Sequence, residues 1–341
     1  MTDFTGKTIL LPGGTGSFGG YFVNYLLDTN FKEIRVFSRD ELKQEEMRLR
    51  LENSAIKFYV GDVRDRDSVD DVMSGVDYVF HAAALKQVPT CEFFPMQATQ
   101  TNVIGSQNII NSAISHGVSK VISLSTDKAV YPVNALGITK ALMEKVVQST
   151  SRKLFQGQTI LSLVRYGNVL FSRGSVIPLF LKQIREKKPI TVTEYEMTRF
   201  LLPLKEAIQL VGFALQNGRQ GDIFVCNAPS ANIGDLAQAL KNIFSSDSEI
   251  KIMGIRHGEK LHETLVSKEE LLRSEDMGGY LRLSMDDRDL NYKKYLSEGD
   301  KKVIQTEDYT SQNTTRLTVP KIEEMLLAQP EIIAELKNQE L

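Results

Sequence analysis

The sequence predicts an α/β fold, in which a doubly wound parallel sheet carries a smaller mixed α/β lobe. Three observations lead to this prediction. Apolar runs typical of buried strands alternate with helix-like segments through the first half of the chain. A glycine-rich turn directly follows the first of these strands. After about residue 245 the alternation gives way to a less regular, more charged pattern, as expected of a lobe laid over the strand ends.

The regular elements are expected in a fixed order. Helices are predicted at residues 21–27 and 106–115, and a mostly helical segment separates the last two strands. Residues 320–341 are predicted to form one or two amphipathic helices that pack on the protein or make a subunit contact. The predicted strands are residues 8–11, 34–37, 57–60, 76–81, 121–124, 160–164 and 223–226.

Composition excludes several classes of function. The 341 residues include 41 basic and 43 acidic side chains that are well mixed along the chain, so no broad positive field exists to bind nucleic acid. Cys91 and Cys226 fit no metal-ligand spacing and suit a reducing compartment. Since neither a secretory signal nor an apolar stretch of membrane-spanning length is present, we expect a soluble cytoplasmic protein.

The glycine-rich turn predicts a dinucleotide site. It opens the first helix, where glycines let the backbone approach a pyrophosphate at the helix N-terminus and let the helix pack closely on the sheet, as in Rossmann folds. Its position about 20 residues before the second strand strengthens the prediction. The residues expected to contact the cofactor here are Gly13, Thr15, Gly16, Ser17, Phe18 and Gly19.

The end of the second strand favours NADP over NAD. Ser38 and Arg39 offer the hydroxyl and the cation that suit a 2′-phosphate, although Asp40 keeps an NAD site open. Further cofactor contacts are expected after the third and fourth strands, at Asp62, Val63, Ala82, Ala83 and Ala84. We therefore predict a dinucleotide-binding domain of residues 1–168 with about 221–243, and a substrate lobe of about 169–220 with 244–341.

Proton chemistry is predicted at the end of the fifth strand. Residues 125–128 read Ser-Thr-Asp-Lys, so Asp127 and Lys128 leave the buried strand side by side. A carboxyl and an amine in that arrangement can move protons at both ends of one bond. Because a free pair would be idle as Asp⁻ and Lys⁺, we expect burial to favour a neutral pair with coupled titration.

A neighbouring helix departs from the general dehydrogenase pattern. Where enzymes of the short-chain dehydrogenase type carry the tyrosine of YxxxK, this chain has Leu136, but the lysine is retained as Lys140. Lys140 is expected to bond the nicotinamide ribose. Leucine cannot accept the proton of a sugar hydroxyl, so Lys128 is the leading alternative, with Thr126 and Tyr131 as weaker ones.

Several motifs occur in the order found in extended short-chain dehydrogenases that act on nucleotide sugars, and the chain resembles them over nearly its whole length. These are the glycine turn, Asp62, the HAAA stretch, Asn102, the Ser-Thr-Asp run and Lys140. LSTDK, HAAALKQVP, RYGNV, RGSVIP, TRF and RHGEKLHE further resemble the UDP-N-acetylglucosamine 4,6-dehydratases that invert carbon 5. The likeness is to their capsule and O-antigen branch leading to N-acetyl-L-fucosamine, where the tyrosine position is also not tyrosine.

The resemblance implies a lyase that needs no external reductant. Such an enzyme passes hydride from sugar carbon 4 to NADP, loses the 6-hydroxyl as water, and returns the hydride to carbon 6. Asp127 and Lys128 would supply the acid and the base, and Asn102 would contact the cofactor. Substrate contacts with the sugar, the diphosphate and the uridine are implied for Lys86, Asn168, Arg173, Arg199, Arg256 and Glu259.

Other interpretations remain open at this stage. A nucleotide-sugar 4-epimerase or reductase would use the same fold, and a non-catalytic NADP-binding regulator is conceivable because the tyrosine is missing. His257, Glu259 and His262 do not have the HExxH spacing of a zinc hydrolase, so no metal is expected. The expected partners are a UDP-sugar and further copies of the chain.

Overall fold

Strands and helices alternate through the first half of the chain. The computed structural model describes residues 3–155, 157–286 and 307–339. Its strands are β1 Thr8–Pro12, β2 Glu33–Ser38, β3 Ile56–Val60, β4 Tyr78–His81, β5 Lys120–Leu124, β6 Ile160–Arg165, β7 Asn168–Val169, β8 Ile190–Val192, β9 Thr198–Leu202, β10 Ile223–Cys226, β11 Ser230–Asn232, β12 Ile250–Ile252, β13 Thr264–Val266, β14 Ser274–Asp276, β15 Tyr280–Leu283 and β16 Tyr309–Thr310.

Helices fill most of the connections between these strands. A π-helix, Gln100–Ile104, joins α5 to α6, and a 3₁₀ turn, Asp127–Ala129, follows β5. The α-helices are α1 Ser17–Leu27, α2 Glu41–Leu51, α3 Arg66–Met73, α4 Val88–Phe93, α5 Pro95–Thr99, α6 Gly105–Ser115, α7 Ala135–Ser151, α8 Val176–Arg185, α9 Leu204–Asn217, α10 Ile233–Ile243, α11 Lys268–Leu271, and two C-terminal helices, Val319–Leu327 and Pro330–Gln339.

The main sheet confirms the predicted fold class. Within the described residues it has nine strands in the order β14-β15-β10-β6-β5-β4-β1-β2-β3. The seven strands from β10 to β3 run parallel, and β15 and β14 add an antiparallel edge. Because the strand order reverses between β1 and β4, a crevice opens at their carboxyl ends, where ligands bind in sheets of this type.

Burial explains why the first strand and first helix form. All five residues of β1 are buried, as expected of a strand covered on both faces by helices. The buried face of α1 includes Phe22, Val23 and Leu26, and the Phe22 ring lies 4.4 Å from that of Phe80 on β4. Each such side chain contributes about 1.5 to 3 kcal/mol when it leaves water, so α1 is fixed firmly against the sheet.

Two apolar clusters divide the chain differently from the predicted domain boundaries. The larger cluster covers the sheet and includes α9, which we expected in the smaller lobe. The smaller cluster includes α8, β8 and α10, although α10 was expected with the sheet. The reason is that α9 leads into β10 and packs on β5, β6 and β10 of the main sheet, whereas α10 packs against the first C-terminal helix.

The end of the chain forms two amphipathic helices, as predicted. Ile322 and Leu326 of the first and Ile332 of the second are buried in the smaller cluster. Tyr21 of α1 also donates a hydrogen bond of 2.5 Å to Glu331. Among the described residues, no helix combines the length and the apolar character needed to cross a bilayer.

Candidate active site

One large cavity collects most of the predicted site residues. It has a volume of about 1530 Å³ and lies between the carboxyl ends of the central strands and the smaller cluster. Two predicted residues, Asn102 and Asp127, lie behind its wall. The predicted residues that line it are Gly13, Thr15, Gly16, Ser17, Phe18, Gly19, Ser38, Arg39, Asp62, Val63, Ala82, Ala83, Ala84, Lys86, Thr126, Lys128, Lys140, Asn168, Arg173, Arg199, Arg256 and Glu259.

The glycine turn has the close approaches that a dinucleotide site requires. Gly13 has φ +83°, and a Cβ there would lie 2.6 Å from the backbone nitrogen of Ala83. A Cβ on Gly19 would lie 2.5 Å from the Cα of Gly14, so the start of α1 needs a glycine to pack on the turn. Gly16 is the N-cap of α1 and has no side chain to cap the helix. The N–H groups of the first turn are therefore suited to a pyrophosphate.

The residues after β2 form the end of this crevice. Asp40 caps α2 by accepting from the backbone nitrogen of Lys43 at 3.1 Å, and it also pairs with the Lys43 ammonium. Ser38 accepts a hydrogen bond from the nitrogen of Asp40. The Arg39 side chain is 53% exposed and lies 3.5 Å from Asp62. The carboxylate of Asp40 is thus already engaged, whereas Arg39 can swing towards a ligand.

Asn102 supports the cavity wall from behind, which corrects the expected direct contact with cofactor. Its side chain is fully buried. Its oxygen accepts from the nitrogen of Leu85 at 2.8 Å, and its amide donates to the carbonyl of Leu85 and to Thr139 Oγ1, each at 3.0 Å. Both ends of the amide are satisfied by protein, so Asn102 fixes the loop after β4.

Helix α7 brings Lys140 and Leu136 to the cavity. Asn134 caps the helix by accepting from the nitrogen of Gly137 at 2.8 Å. One turn apart on this helix, Leu136 and Lys140 are both buried and both line the cavity. Lys140 donates to the carbonyl of Leu124 at the end of β5 at 2.8 Å, and its burial lowers its pKa to about 8.

Lys128 lies between two carboxylates. Its Nζ is 3.1 Å from Asp127 Oδ1 and 3.4 Å from Glu263 Oε1. Thr126 donates to the same oxygen of Asp127 at 2.8 Å and accepts from the nitrogen of Lys128 as the cap of the 3₁₀ turn. The Lys128 side chain is 22% exposed, while Asp127 is fully buried. Lys128 and Thr126 therefore face the cavity, and Asp127 supports them from below.

Two further cations complete this group. Arg199 Nε lies 3.8 Å from Glu263 Oε1, and Lys260 Nζ lies 3.7 Å from Glu263 Oε2. Arg199 also donates to the carbonyls of Thr198 and Lys260, at 2.7 and 3.0 Å. Most of its guanidinium is thus committed to protein atoms. We call Asp127, Lys128, Arg199, Lys260 and Glu263 the charged cluster.

The charged cluster corrects the expected neutral Asp127–Lys128 pair. Burial alone would lower the pKa of Lys128, but Asp127 and Glu263 outweigh it and raise that pKa above its ordinary value. Burial alone would raise the pKa of Glu263, but Lys128, Arg199 and Lys260 hold it below the ordinary value. Lys128 and Glu263 are therefore both ionised. The neutral pair was expected because the sequence pattern did not reveal that a second carboxylate, Glu263, faces Lys128.

Tyr131 lies outside the cavity, contrary to the possibility that it serves the oxidation step. Its backbone has φ +46° and its ring is 48% exposed. The hydroxyl bonds to Glu269 at 3.0 Å and to Asp308 at 3.2 Å. Burial and Glu269 raise its pKa to about 12. Tyr131 thus ties the segment after the 3₁₀ turn to Glu269 and Asp308 and does not line the cavity.

The wall facing the sheet holds the other predicted substrate residues. The backbone nitrogen of Arg173 donates to Ser17 Oγ at 3.1 Å, so the loop before α8 reaches the glycine turn. Arg256 forms an ion pair with Glu259. Buried oxygens of Asn168 and Glu259 have no hydrogen-bond partner among the described residues, which leaves them free to bind a ligand.

The histidines near Glu259 have separate partners. His257 is 91% exposed and its Nε2 lies 3.7 Å from Glu92. His262 Nδ1 lies 2.8 Å from Thr198 Oγ1. Among the described residues no group of three histidine, cysteine or carboxylate side chains is arranged to hold a metal ion.

Sequence reasoning missed two residues that line the cavity, Glu263 and Tyr166, and one that pairs with Glu263, Lys260. Glu263 and Lys260 lie in the RHGEKLHE motif, from which only Arg256 and Glu259 were predicted as contacts. Tyr166, from RYGNV, stacks on Phe18 with ring centroids 6.0 Å apart. All three residues lie in motifs that also contain predicted contacts, and this was the available signal.

The fold, the glycine turn and the retained Lys140 define an α/β protein of the extended short-chain dehydrogenase type. A family model described as "Polysaccharide biosynthesis protein" matches residues 9–285, and one described as "Polysaccharide biosynthesis protein C-terminal" matches residues 286–332. The chain belongs to this polysaccharide biosynthesis protein family.

Relatives agree with this assignment. A Rickettsia felis protein named UDP-glucose 4-epimerase is 55% identical over 98% of this chain and 99% of its own length. The X-ray structure of Pen from Bacillus thuringiensis aligns with a TM-score of 0.87 at 33% identity, covering 96% of this chain and 98% of Pen. DesIV, a dTDP-glucose 4,6-dehydratase from Streptomyces venezuelae, aligns with a TM-score of 0.68 at 22% identity, covering 74% and 86%, and shares the fold.

Proposed function

We propose that this protein removes water from UDP-N-acetylglucosamine with bound NADP, giving a 4-keto-6-deoxy sugar nucleotide with inversion at carbon 5. The observation that carries the proposal is the charged cluster. A dehydration needs a base at carbon 5 and an acid at the 6-oxygen. Lys128 and Glu263 provide a proton donor and a proton acceptor 3.4 Å apart on the wall of the cavity that also contains the glycine turn.

The cofactor would occupy the crevice between β1 and β4. When bound, its nicotinamide accepts hydride from carbon 4 and returns it to carbon 6. The glycine turn suits the pyrophosphate, and Lys140 suits the nicotinamide ribose. Ser38 and Arg39 support NADP because Asp40 is engaged as a helix cap. NAD is the alternative, and the DesIV structure contains NAD.

The substrate would lie across the cavity from the sheet. Arg173 and Arg256 offer cations for the diphosphate, and the free buried oxygens of Asn168 and Glu259 offer acceptors for sugar or ribose hydroxyls. Arg199 is a weaker candidate for the diphosphate, since its guanidinium already bonds two carbonyls and lies near Glu263.

The second candidate is a UDP-sugar 4-epimerase, which is favoured by the name of the Rickettsia relative. An epimerase moves a proton only at the 4-oxygen and needs neither acid nor base at carbons 5 and 6. Both reactions oxidise carbon 4, so the leucine at the YxxxK tyrosine position, Leu136, does not separate them. The epimerase gives Lys128 and Glu263 no role at carbons 5 and 6, and it therefore accounts for less of the charged cluster than the dehydratase does.

One experiment separates the two reactions. The full-length protein is incubated with UDP-N-acetylglucosamine and NADP in deuterated water, and the product is examined by mass spectrometry and NMR. The dehydratase gives a product lighter by one water, with deuterium at carbon 5, L-configuration and no net change in NADPH. An isomer of unchanged mass, epimerised at carbon 4, would instead establish the epimerase; UDP-glucose is tested in parallel.

A further inference from the structure

Two carboxylates contact the Lys128 ammonium, and only one of them faces the cavity. Glu263 lines the cavity wall although its side chain is only 3% exposed. Asp127 is fully buried under the 3₁₀ turn, and one of its oxygens is shared between Lys128 and Thr126. A ligand in the cavity can therefore reach Glu263 directly, but it can reach Asp127 only through its neighbours.

The backbone of Glu263 is fixed by two hydrogen bonds to Ser311, and one oxygen of its side chain has no partner within the described residues. Its nitrogen donates to Ser311 Oγ at 2.9 Å, and its carbonyl accepts from the nitrogen of Ser311 at 2.8 Å. Its Oε2 is buried and has no hydrogen-bond partner within the described residues, and Lys260 Nζ lies 3.7 Å from this oxygen. A buried acceptor without a partner costs free energy unless a ligand satisfies it.

The charges of the cluster keep Lys128 protonated and Glu263 deprotonated. Lys128, Arg199 and Lys260 carry three positive charges around the two carboxylates, so the cluster has a net positive charge when all five groups are ionised. Lys128 then carries a proton that it can donate, and Glu263 has a lone pair that can accept one. A rare neutral pair need not form before the reaction begins.

We infer that Glu263 is the base that removes the proton from carbon 5 and that Lys128 is the acid that protonates the departing 6-oxygen. The inference rests on the proposed dehydratase function. Asp127 is then a positioning residue, which orients the Lys128 ammonium through the contact of 3.1 Å.

The step balances without any additional reagent. The C5–H bond breaks, its proton goes to a Glu263 oxygen, and its electron pair forms the C5–C6 double bond. The C6–O6 bond breaks as Lys128 donates a proton to the oxygen, which leaves as water. A proton then passes from the Glu263 carboxyl to the neutral Lys128 amine across the 3.4 Å contact and restores both groups. Inversion requires the later proton at carbon 5 to come from the other face, so Glu263 is assigned removal alone.

The test compares Glu263→Gln and Asp127→Asn with wild type in single turnovers. Glutamine keeps the shape of glutamate but cannot accept the proton. For Glu263→Gln we expect water loss to slow about 10²- to 10⁴-fold, while absorbance of reduced nicotinamide still develops because oxidation at carbon 4 precedes this step. Asp127→Asn should still remove the carbon 5 proton, which is measured as deuterium exchange into the sugar. Glu186→Gln, at an exposed surface ion pair, is the matched control and should behave as wild type.

Each outcome decides the assignment. If the wild type releases water and Glu263→Gln releases it at the same rate, this inference alone is overturned. The same holds if Glu263→Gln still exchanges deuterium at carbon 5 and Asp127→Asn does not. Equal loss of oxidation and dehydration in Glu263→Gln assigns it a structural role and also overturns the inference. A wild-type protein that releases no water overturns both this inference and the proposed function. Should Glu263→Gln fail to fold, Glu263→Asp keeps the charge, retracts the carboxylate and should show the same selective loss of water release.

Discussion

The crevice around the glycine turn and the charged cluster adjoin one cavity but are built in opposite ways. The crevice is formed by glycines, alanines and backbone groups, and its charges lie at an exposed rim that includes Arg39. The charged cluster is formed by acidic and basic side chains that are largely buried, from Asp127 at 0% exposed to Lys128 at 22%. The crevice therefore depends on close packing, whereas the cluster depends on charge balance. A substitution should affect binding in the first region and proton transfer in the second.

The largest effect is expected from Lys128→Met, which tests the charge-balance half of the comparison. The variant loses the ammonium that faces the cavity and leaves Asp127 and Glu263 without their shared cation. We expect dehydration to fall about 10²- to 10⁴-fold, while NADP binding changes little because the glycine turn is untouched. Product formation is measured by mass spectrometry and NADP affinity by calorimetry.

The control for this prediction is Lys188→Met, which removes a lysine of 66% exposure from a surface ion pair. A Lys128→Met variant with wild-type turnover would contradict the role given to the charged cluster. Equal losses of NADP binding and turnover would show that the two regions do not act separately.

Gly13→Ala tests the packing half. The new Cβ would lie 2.6 Å from the nitrogen of Ala83 at a residue with φ +83°. We expect a loss of about 1 to 3 kcal/mol in stability and a fall of about 10- to 200-fold in NADP affinity. Thermal unfolding and calorimetry measure the two effects.

Gly20→Ala is the matched control, because a Cβ there enters open space within the described residues. That substitution should leave NADP affinity unchanged and stabilise α1 by up to about 1 kcal/mol. Similar behaviour of the two alanine variants would rule out close packing as the basis of the crevice.

A third prediction concerns pH and Lys140, which lies where the two regions meet. Its pKa is lowered from 10.5 to about 8 by burial, so its charge is lost as pH rises through about 8. If its positive charge supports the cofactor, NADP affinity should fall by up to about tenfold between pH 7 and 9. Lys140→Met should lose this pH dependence, and an unchanged profile in the variant would assign the effect to another group.

The same shift predicts the sign of a stability change. Between about pH 8 and 10.5 the unfolded chain holds a proton on Lys140 that the folded protein has released. The contribution of this residue to the free energy of unfolding should therefore increase with pH in that range. Denaturant unfolding of wild type and Lys140→Met at pH 8 and 10 measures the difference between them.

The smallest effect is expected at the exposed rim. Arg39→Ala should weaken NADP binding about fivefold and leave NAD binding unchanged, because a contact with a half-exposed cation is screened by water. Arg48→Ala, on the exposed face of α2, is the control. Equal affinity for NADP in the variant and wild type would favour NAD as the natural cofactor.

Local sequence patterns were enough to predict the parallel sheet and the glycine turn at the carboxyl end of its first strand. Strand periodicity and the glycine turn are local patterns. The unit that holds the turn, from β1 through α1 to β2, is complete within about 30 residues. For the same reason Lys128 could be placed directly after the fifth strand, and Lys140 one helical turn beyond Leu136, before any contact was known.

The composition of the charged cluster could not be predicted, because it depends on contacts between segments that are far apart in the sequence. Glu263 lies 135 positions after Lys128 in the sequence, and the contact of 3.4 Å between them forms because the chain folds the segment after residue 255 back over the strand ends. Burial and charge balance depend on all neighbours at once, so the Ser-Thr-Asp-Lys run predicted a neutral Lys128, whereas in the fold Asp127 and Glu263 raise the pKa of Lys128 above its ordinary value. For the same reason the sequence could not show that Asn102 and Asp127 lie behind the cavity wall. It also could not show that α9 packs in the larger apolar cluster and α10 in the smaller one.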